Sequence, residues 1–223
     1  MAKTADEAGV RIVAGDTKVA GKGQVDHLFI TTTGIGQIVD GVHTSGTLAR
    51  PGDAVIVSGD VGRHGCTILL ARNQFGIDAD VTSDCAPLWG TVKAMLDTTK
   101  DIHVIRDATR GASARSSTKS PARAMSHPFG QPGYPRRSGR PRRLRHARFG
   151  TALPACEGRL VIFAPKAVAG DIVATLRQGK YSKDAAIIGE VTADQPGRVI
   201  MRTEIGAETL LPPPGGELLP RIC

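Results

Sequence analysis

The last residue of the 223-residue chain, Cys223, has the type and the position of a nucleophile on a movable arm. It ends the segment LLPPPGGELLPRIC, in which three consecutive prolines favour an extended arm and two glycines supply a hinge. A thiolate on such an arm can visit more than one reaction site, which a cysteine in a core cannot do. The alternative interpretation is an incidental exposed thiol. A prenylation signal is excluded, because its cysteine is not the terminal residue.

Other side chains that could catalyse or bind occur in short polar motifs. The candidates are Asp16 and Lys18 in AGDTKV, Asp84 in SDCAPLW, Asp107, Thr109 and Arg110 in RDATRG, and Glu157 in CEGR. Taken alone, GDTK also fits a solvated turn, and Glu157 also fits a surface charge before a strand. An Asp and an Arg near a turn are often a structural pair. His64, in GRHG, is interpreted as a loop histidine rather than a general base.

The elements that must position these residues form a mixed pattern of strands and helices. Apolar and β-branched runs predict strands at 10–14, 28–33, 54–58, 158–165, 185–191 and 197–203, and a strand entering a turn at 101–111. Apolar residues at helical spacing predict a helix at 167–179, and shorter helices are predicted at 66–73 and 91–96. The irregular order of these elements indicates an α+β fold.

The net charge of +8 is confined to one segment. Residues 112–155 contain ten Lys or Arg and no Asp or Glu, which leaves 19 basic and 21 acidic residues elsewhere. Clustered basic residues are typical of nucleic-acid binding, because they replace the counterions of phosphates. The few aromatic residues are too scattered to stack with bases, so a basic RNA- or DNA-binding arm at 135–150 is the less favoured interpretation.

The cysteines and the apolar runs indicate the compartment. Cys66, Cys85, Cys156 and Cys223 show neither CxxC pairs nor zinc-ligand spacing, which indicates reduced thiols. No apolar run is long enough for a membrane helix, and the first residues, MAKTADEAGV, lack the layout of a secretory signal. We therefore expect a cytoplasmic location and no contact with a membrane.

Four motifs, in this order, resemble one family. They are similar to motifs of hydrogenase maturation proteins of the HypE family, which belongs to the superfamily of aminoimidazole ribonucleotide (AIR) synthetase, PurM. The motifs are AGDTKV, SDCAPLW, RDATRG and the terminal PRIC, and AAIIGEV and PGRV fit the same family. The similarity covers residues 1–111 and 156–223. It implies a remnant of the PurM-like N-terminal, ATP-binding domain at 1–37, a layered PurM-like C-terminal domain at 38–210, and a flexible tail at 211–223.

The resemblance also implies a reaction. In the family, the terminal thiolate accepts a carbamoyl group from a HypF-type carbamoyltransferase. ATP, with Mg²⁺, then phosphorylates the carboxamide oxygen, a base removes the nitrogen protons, and a thiocyanate forms. Its cyanide passes to iron on a HypC–HypD complex, for the centre of nickel–iron hydrogenase. Intact relatives are expected to be homodimers.

The same resemblance assigns roles to residues of this chain. It makes Cys223 the acceptor, Glu157 the base, and Lys18 the cation that steadies negative oxygens, with Asp16 binding Mg²⁺ or orienting Lys18. The remaining candidates for the ATP site are Asp84, Asp107, Thr109 and Arg110.

Two features depart from the family pattern. The family's chain begins well before residue 1 of this sequence, so we expect an incomplete ATP site without the glycine-rich nucleotide segment. Residues 112–155 do not match, although the distance between the matching flanks is retained. Shifted reading of GC-rich codons gives the family-like strings GGLGAVLNEIA after Gly111 and PVDPDVRAACDMLGLEPLYL for 135–154. We therefore interpret 112–155 as translated out of frame, and we expect it to be disordered because apolar residues are few.

Whether this chain is an enzyme is left open by these departures. The leading hypothesis is an ATP-dependent carbamoyl dehydratase acting on its own terminal cysteine, impaired by truncation. The second is a non-catalytic carbamoyl carrier or partner-docking module. A phosphoribosyl or selenophosphate enzyme of the same superfamily is disfavoured, because neither needs a terminal cysteine.

Overall fold

A computed structural model describes residues 1–72, 80–109, 123–126, 156–194, 197–202 and 207–211. The chain separates into two units, Met1–Val42 and His43–Cys223. Three predicted features lie outside the described residues: Arg110, the tail that ends in Cys223, and the out-of-frame segment except for 123–126. The hypotheses that concern them stay predictions.

The second unit is built on one sheet. The first unit contributes helix α1 (Ala2–Ala8), and the second contributes, in chain order, β1 (Asp53–Val57), α2 (Arg63–Ala71), α3 (Trp89–Thr98), β2 (Val104–Asp107), β3 (Arg123–Ser126), β4 (Leu160–Pro165), α4 (Lys166–Gln178), β5 (Ala186–Thr192), β6 (Val199–Arg202) and β7 (Glu208–Leu211). The strands lie in the order β2-β4-β1-β5-β3-β6-β7. Neighbours are antiparallel, except that β3 and β6 are parallel. This confirms the predicted α+β class.

The centre of the sheet forms the core. All five residues of β1 are buried, and β1 lies between β4 and β5. Val55 and Val57 belong to the same buried cluster as Val161 and Phe163 of β4. Successive side chains of a strand point to opposite faces, so Ile56 faces the other side, where α4 packs. Burial of both faces explains why these strands are nearly continuous apolar runs.

Helix α4 covers one face because its apolar residues recur at helical spacing. Ala169, Ile172, Val173 and Leu176 are buried, and α4 packs against β1, β4, β5 and α3. The hydroxyls of Thr98 and Thr175 join α3 to α4, with their oxygens 2.9 Å apart. In the described part of the chain, none of the helices has the length and hydropathy needed to cross a membrane.

The strands predicted in the first unit are wrong. Residues 9–52 contain no described helix or strand, although the runs at 10–14 and 28–33 are apolar and β-branched. Val13 is 85% exposed and Val19 is 95% exposed. Such runs favour an extended backbone, but a strand also needs a neighbour that pairs with its N–H and C=O groups.

The expectation of disorder over 112–155 is wrong for four residues. Strand β3, at 123–126, pairs with β5 on one side and β6 on the other. Ladder hydrogen bonds use main-chain groups, which every residue other than proline carries in full. A short strand can therefore complete this sheet even where the surrounding sequence is unusual.

Candidate functional site

Two loops meet beside the start of β4, one at 83–86 before α3 and one at 156–159. The backbone N–H of Glu157 donates to Oδ1 of Asp84 over 2.8 Å, and Asp84 is only 3% exposed. A Cβ atom added at Gly158 would overlap the carbonyl oxygen of Asp84. This close approach therefore requires glycine at position 158.

Cys156, the first residue of the second loop, is fixed in the core. Its side chain is buried, and its Sγ accepts a hydrogen bond from the N–H of Gly62 over 3.0 Å. Burial, followed by the negative charge of Asp84, raises the pKa of the Cys156 thiol from 9.0 to about 12. At neutral pH Cys156 is a protonated, inert thiol that anchors its neighbour Glu157.

A buried ion pair fixes the other end of the loop. Arg159 is 4% exposed, and its Nη2 lies 2.5 Å from Oδ1 of Asp60. Its Nε donates to the carbonyl of Asp60 over 2.8 Å, and its Nη1 donates to the carbonyls of Gly158 (2.7 Å) and Tyr181 (3.3 Å). Asp60 also pairs with Arg63, whose Nη2 donates to Oδ1 over 3.3 Å and whose Nε lies 3.2 Å from Oδ2. The guanidinium of Arg159 is thus used to hold the loop.

The side chain of Glu157 is exposed, whereas its three loop neighbours are buried. The N–H of Ala108 donates to the carbonyl of Arg159 over 2.9 Å, so Asp107 and Thr109 lie beside the same loop. Asp107 is exposed and Thr109 is half-buried. The structure thus brings Asp84 and Glu157 into contact and places the RDAT segment next to them. The catalytic and ATP-binding roles of these residues stay predictions.

Asp16 and Lys18 lie in the first unit, and both are exposed. Oδ1 of Asp16 accepts a hydrogen bond from the N–H of the adjacent Thr17 over 2.9 Å, as in a local turn. Within the described ranges, no three His, Cys, Asp or Glu side chains are grouped so as to hold a metal ion. Asp16 thus offers a single carboxylate, and because Mg²⁺ is often held by one or two carboxylates together with substrate phosphates, its role at the ion stays a prediction.

A polar cavity of about 200 Å³ opens beside the two loops. Its walls include Arg63, Ser83, Asp84, Cys85, Lys183 and Asp184. Sites for drug-sized ligands usually measure about 300–1,000 Å³, so this cavity suits a group of a few atoms rather than a whole nucleotide. Residues 180–184, which form one wall, carried no signal in the sequence motifs.

The interpretation of His64 as a loop histidine is wrong. The residue lies in α2 and is 6% exposed, and its Nδ1 is 2.8 Å from Oγ of Ser83. The hydroxyl of Ser83 donates to Sγ of Cys85 over 3.1 Å, and Sγ is 3.8 Å from Nδ1 of His64. Sequence reasoning missed this Cys–Ser–His cluster. Its signal is the SDC triplet, in which Ser83 and Cys85 flank Asp84.

The chain and its fold are similar to known proteins of one family. No family model matches the chain. The carbamoyl dehydratase HypE of Azotobacter vinelandii is 38% identical over 224 residues, which cover 100% of this chain and 66% of that protein. The crystal structure of the hydrogenase maturation protein HypE in complex with ATP is 39% identical, with a TM-score of 0.86, over 99% of this chain and 68% of that one. A HypE–HypF complex contains a chain 30% identical, with a TM-score of 0.83, over 96% of this chain and 70% of that one.

These similarities extend along the whole chain, and they confirm the resemblance that the motifs indicated. The chain spans 66% of the length of the curated relative from A. vinelandii. It belongs to the HypE family of hydrogenase maturation proteins.

Proposed function

We propose that this chain serves in nickel–iron hydrogenase maturation, by ATP-dependent dehydration of an S-carbamoyl group on Cys223 to a thiocyanate. Its relatives are named carbamoyl dehydratases, and related solved structures contain ATP or HypF. The product would supply the cyanide ligands of the active-site iron.

The observation that carries this proposal is the setting of Glu157. Its carboxylate is exposed, while its backbone is fixed by Asp84 and by the buried neighbours Cys156 and Arg159. A general base needs this combination, because it must reach the substrate and yet keep its position. Glu157 would remove the nitrogen protons of the carboxamide. ATP, when bound, supplies the phosphoryl group that turns the amide oxygen into a leaving group.

The other predicted residues take supporting roles in the proposal. Lys18 would stabilise negative oxygens of the transferred group, and Asp16 would orient Lys18. Asp84, Asp107 and Arg110 would contribute to the nucleotide site. A HypF-type carbamoyltransferase would load the thiol, a HypC–HypD complex would receive the cyanide, and intact relatives would act as homodimers.

Mass spectrometry of the C-terminal peptide tests the role of Glu157. The chain is incubated with a HypF-type carbamoyltransferase, carbamoyl phosphate, ATP and Mg²⁺, and the two forms of Cys223 are counted over time. We expect Glu157→Gln to accumulate the carboxamide and to form thiocyanate about 10²- to 10⁴-fold more slowly. Glu190→Gln is the matched control. Glu190 lies on β5, away from the two loops, and forms an ion pair with Lys166 of α4. Equal thiocyanate formation by Glu157→Gln and the unsubstituted chain would contradict the assignment.

A non-catalytic carbamoyl carrier is the second candidate. It needs only a thiol that can be loaded with a carbamoyl group, and neither a general base nor a nucleotide site. In the same assay a carrier is loaded to the carboxamide and stops there, with or without Glu157. A chain that is never loaded at Cys223 contradicts both candidates.

A further inference from the structure

The segment that leads from β1 into α2, residues 59–64, contacts both loops of the candidate site. Oδ1 of Asp60 accepts a hydrogen bond from Nη2 of Arg159, and the carbonyl of Asp60 accepts another from Nε over 2.8 Å. The N–H of Gly62 donates to Sγ of Cys156 over 3.0 Å. Both ends of the loop that carries the proposed base are therefore held by this segment.

The same segment holds the other loop through His64. Nδ1 of His64 lies 2.8 Å from Oγ of Ser83, whose hydroxyl donates to Sγ of Cys85 over 3.1 Å. A hydroxyl has one proton to give, so the Nδ1–H of His64 is the donor to Oγ. Oγ also accepts the N–H of Cys85 over 3.1 Å, which closes a turn around residue 84. His64 thus fixes the turn that contains Asp84.

Asp84 connects this turn to the proposed base. Its Oδ1 accepts the N–H of Glu157 over 2.8 Å, and the residue is 3% exposed. Its Oδ2 has less than 1 Å² of accessible area, so a ligand cannot reach that oxygen. What Asp84 can do for the proposed reaction is therefore to hold the backbone of Glu157.

We infer that His64 is a positioning residue for the general base of the proposed reaction, Glu157. It acts through Ser83 and Asp84, and this role rests on the proposed function, because a position matters only to a base that is used. His64 is 6% exposed and its Nε2 is buried, so it does not touch a substrate itself. Displacing a catalytic group by about 1 Å can cost about 10²-fold in rate, so hydrogen bonds behind the base affect turnover.

The alternative is a histidine that only stabilises the fold. Replacing such a residue lowers the free energy of unfolding but leaves the rate of dehydration by the folded protein unchanged. Replacing a positioning residue lowers that rate while substrate binding is retained. Loading of Cys223 by a carbamoyltransferase is also retained, because loading does not use Glu157.

Two substitutions at position 64 distinguish these roles when the two forms of Cys223 are counted by mass spectrometry. His64→Phe keeps an aromatic ring and removes the Nδ1 donor. We expect it to form thiocyanate about 10-fold more slowly, with unchanged loading and an unchanged KM for ATP, because one hydrogen bond behind the base is lost. His64→Asn restores an N–H donor at the place of Nδ1 and should return the rate to within about 3-fold of the unsubstituted chain.

The recovery with asparagine also distinguishes positioning from proton transfer. An asparagine side chain donates and accepts hydrogen bonds but does not ionise, so a recovered rate excludes His64 as an acid or a base. Equal rates in His64→Phe and the unsubstituted chain, or no recovery in His64→Asn, overturn the inference.

A double variant tests the connection through Ser83. Ser83→Ala removes the acceptor of the same hydrogen bond, so adding His64→Phe should slow the reaction no further. A double variant about 10-fold slower than Ser83→Ala alone would show that His64 acts by another route. Should His64→Phe fail to fold, Ser83→Ala serves for the same measurements of turnover and KM.

Thr98→Val is the matched control, because it also removes one side-chain hydrogen bond. The hydroxyls of Thr98 and Thr175 are 2.9 Å apart and join α3 to α4, and Thr98 lies at the end of α3 that is far from the loops. We expect thiocyanate formation at the unsubstituted rate. Equal slowing in Thr98→Val and His64→Phe would indicate a general loss of structure and would contradict the role of His64.

Amide hydrogen exchange followed by NMR separates this role from the proposed function. Asp84 holds the N–H of Glu157, so we expect this amide to exchange about 10-fold faster in His64→Phe, while the amide of Ile162 in β4 is unchanged. If the unsubstituted chain forms no thiocyanate, the proposed function fails, and exchange at Glu157 still decides whether His64 holds it. Equal exchange of the Glu157 amide in His64→Phe and the unsubstituted chain overturns the inference.

Discussion

Asp60 is the residue that neutralises the buried guanidinium of Arg159. Asp60→Asn keeps the size of the side chain but leaves Arg159 charged, 4% exposed and without its counter-ion. Removing one partner of a buried pair costs about 3–5 kcal/mol, because the remaining charge is desolvated without compensation. We therefore expect the free energy of unfolding to fall by that amount in urea denaturation.

An exposed ion pair provides the control for Asp60. Lys93 and Asp97 lie one helical turn apart in α3, with their side chains 60% and 63% exposed. Lys93→Ala should change the free energy of unfolding by less than about 0.5 kcal/mol, because water screens such pairs. Similar losses in both variants would show that burial does not distinguish the two pairs.

Cys156 gives the stability of the chain a specific dependence on alkaline pH. Burial and then the charge of Asp84 raise the pKa of its thiol from 9.0 to about 12. The unfolded thiol ionises above pH 9 while the folded thiol stays protonated, so the unfolded state binds fewer protons. This stabilising contribution is complete below pH 9 and falls as the pH rises towards 12, by about 1.4 kcal/mol per pH unit.

The measurement is the difference in free energy of unfolding between the unsubstituted chain and Cys156→Ala. Other groups titrate equally in both proteins, so the difference isolates the thiol. We expect the advantage of the unsubstituted chain to shrink from about pH 9 upwards. A constant difference between pH 8 and 11 would contradict the raised pKa.

At the scale of elements, the contact between the two loops depends on Gly158. Gly158→Ala places a methyl group on the Asp84 carbonyl and must push the loops apart, which costs about 1–3 kcal/mol as overpacking does. Gly170→Ala is the matched control, because Gly170 is exposed in α4 with open space around it. That change should stabilise the helix by about 0.5–1 kcal/mol. The measurement is the midpoint temperature of thermal denaturation of both variants. Shifts of the same sign in the two midpoints would contradict the role of Gly158.

Elements with local signals could be predicted from the sequence, and contacts between distant segments could not. The spacing of Ile172, Val173 and Leu176 identified α4, and the apolar runs identified β1, β4, β5 and β6. Helix α2 begins at Arg63, earlier than the predicted residue 66. Its N-cap is Gly62, whose φ of 78° is a conformation that glycine adopts without strain.

In the candidate site, too, the local motifs could be predicted from the sequence and the contact between them could not. The motifs containing Asp84 and Glu157 were recognised, but their contact joins residues 73 positions apart, and neither residue type nor spacing encodes it. The strands predicted at 10–14 and 28–33 failed for a related reason. A strand is completed by a neighbour, and the run itself carries no information about whether that neighbour is present.

At the scale of the molecule, the two units differ in what holds their backbone. The second unit combines a sheet with a buried apolar cluster, whereas the first exposes Val10, Ile12, Leu28 and Phe29 to more than half of their full area. Amides that are hydrogen-bonded in a core exchange with solvent only through costly opening, and amides without regular structure exchange freely.

Hydrogen exchange followed by mass spectrometry therefore separates the units. We expect peptides from β1, β4 and α4 to be protected by free energies that approach the global stability, typically about 5–15 kcal/mol. Peptides from 10–38 should exchange at nearly the rate of an unstructured chain, because residues 9–52 contain no described helix or strand. Strong protection at 28–33 at high protein concentration, lost on dilution, would contradict this expectation. It would show that this β-branched run obtains its missing strand neighbour from a second copy of the chain.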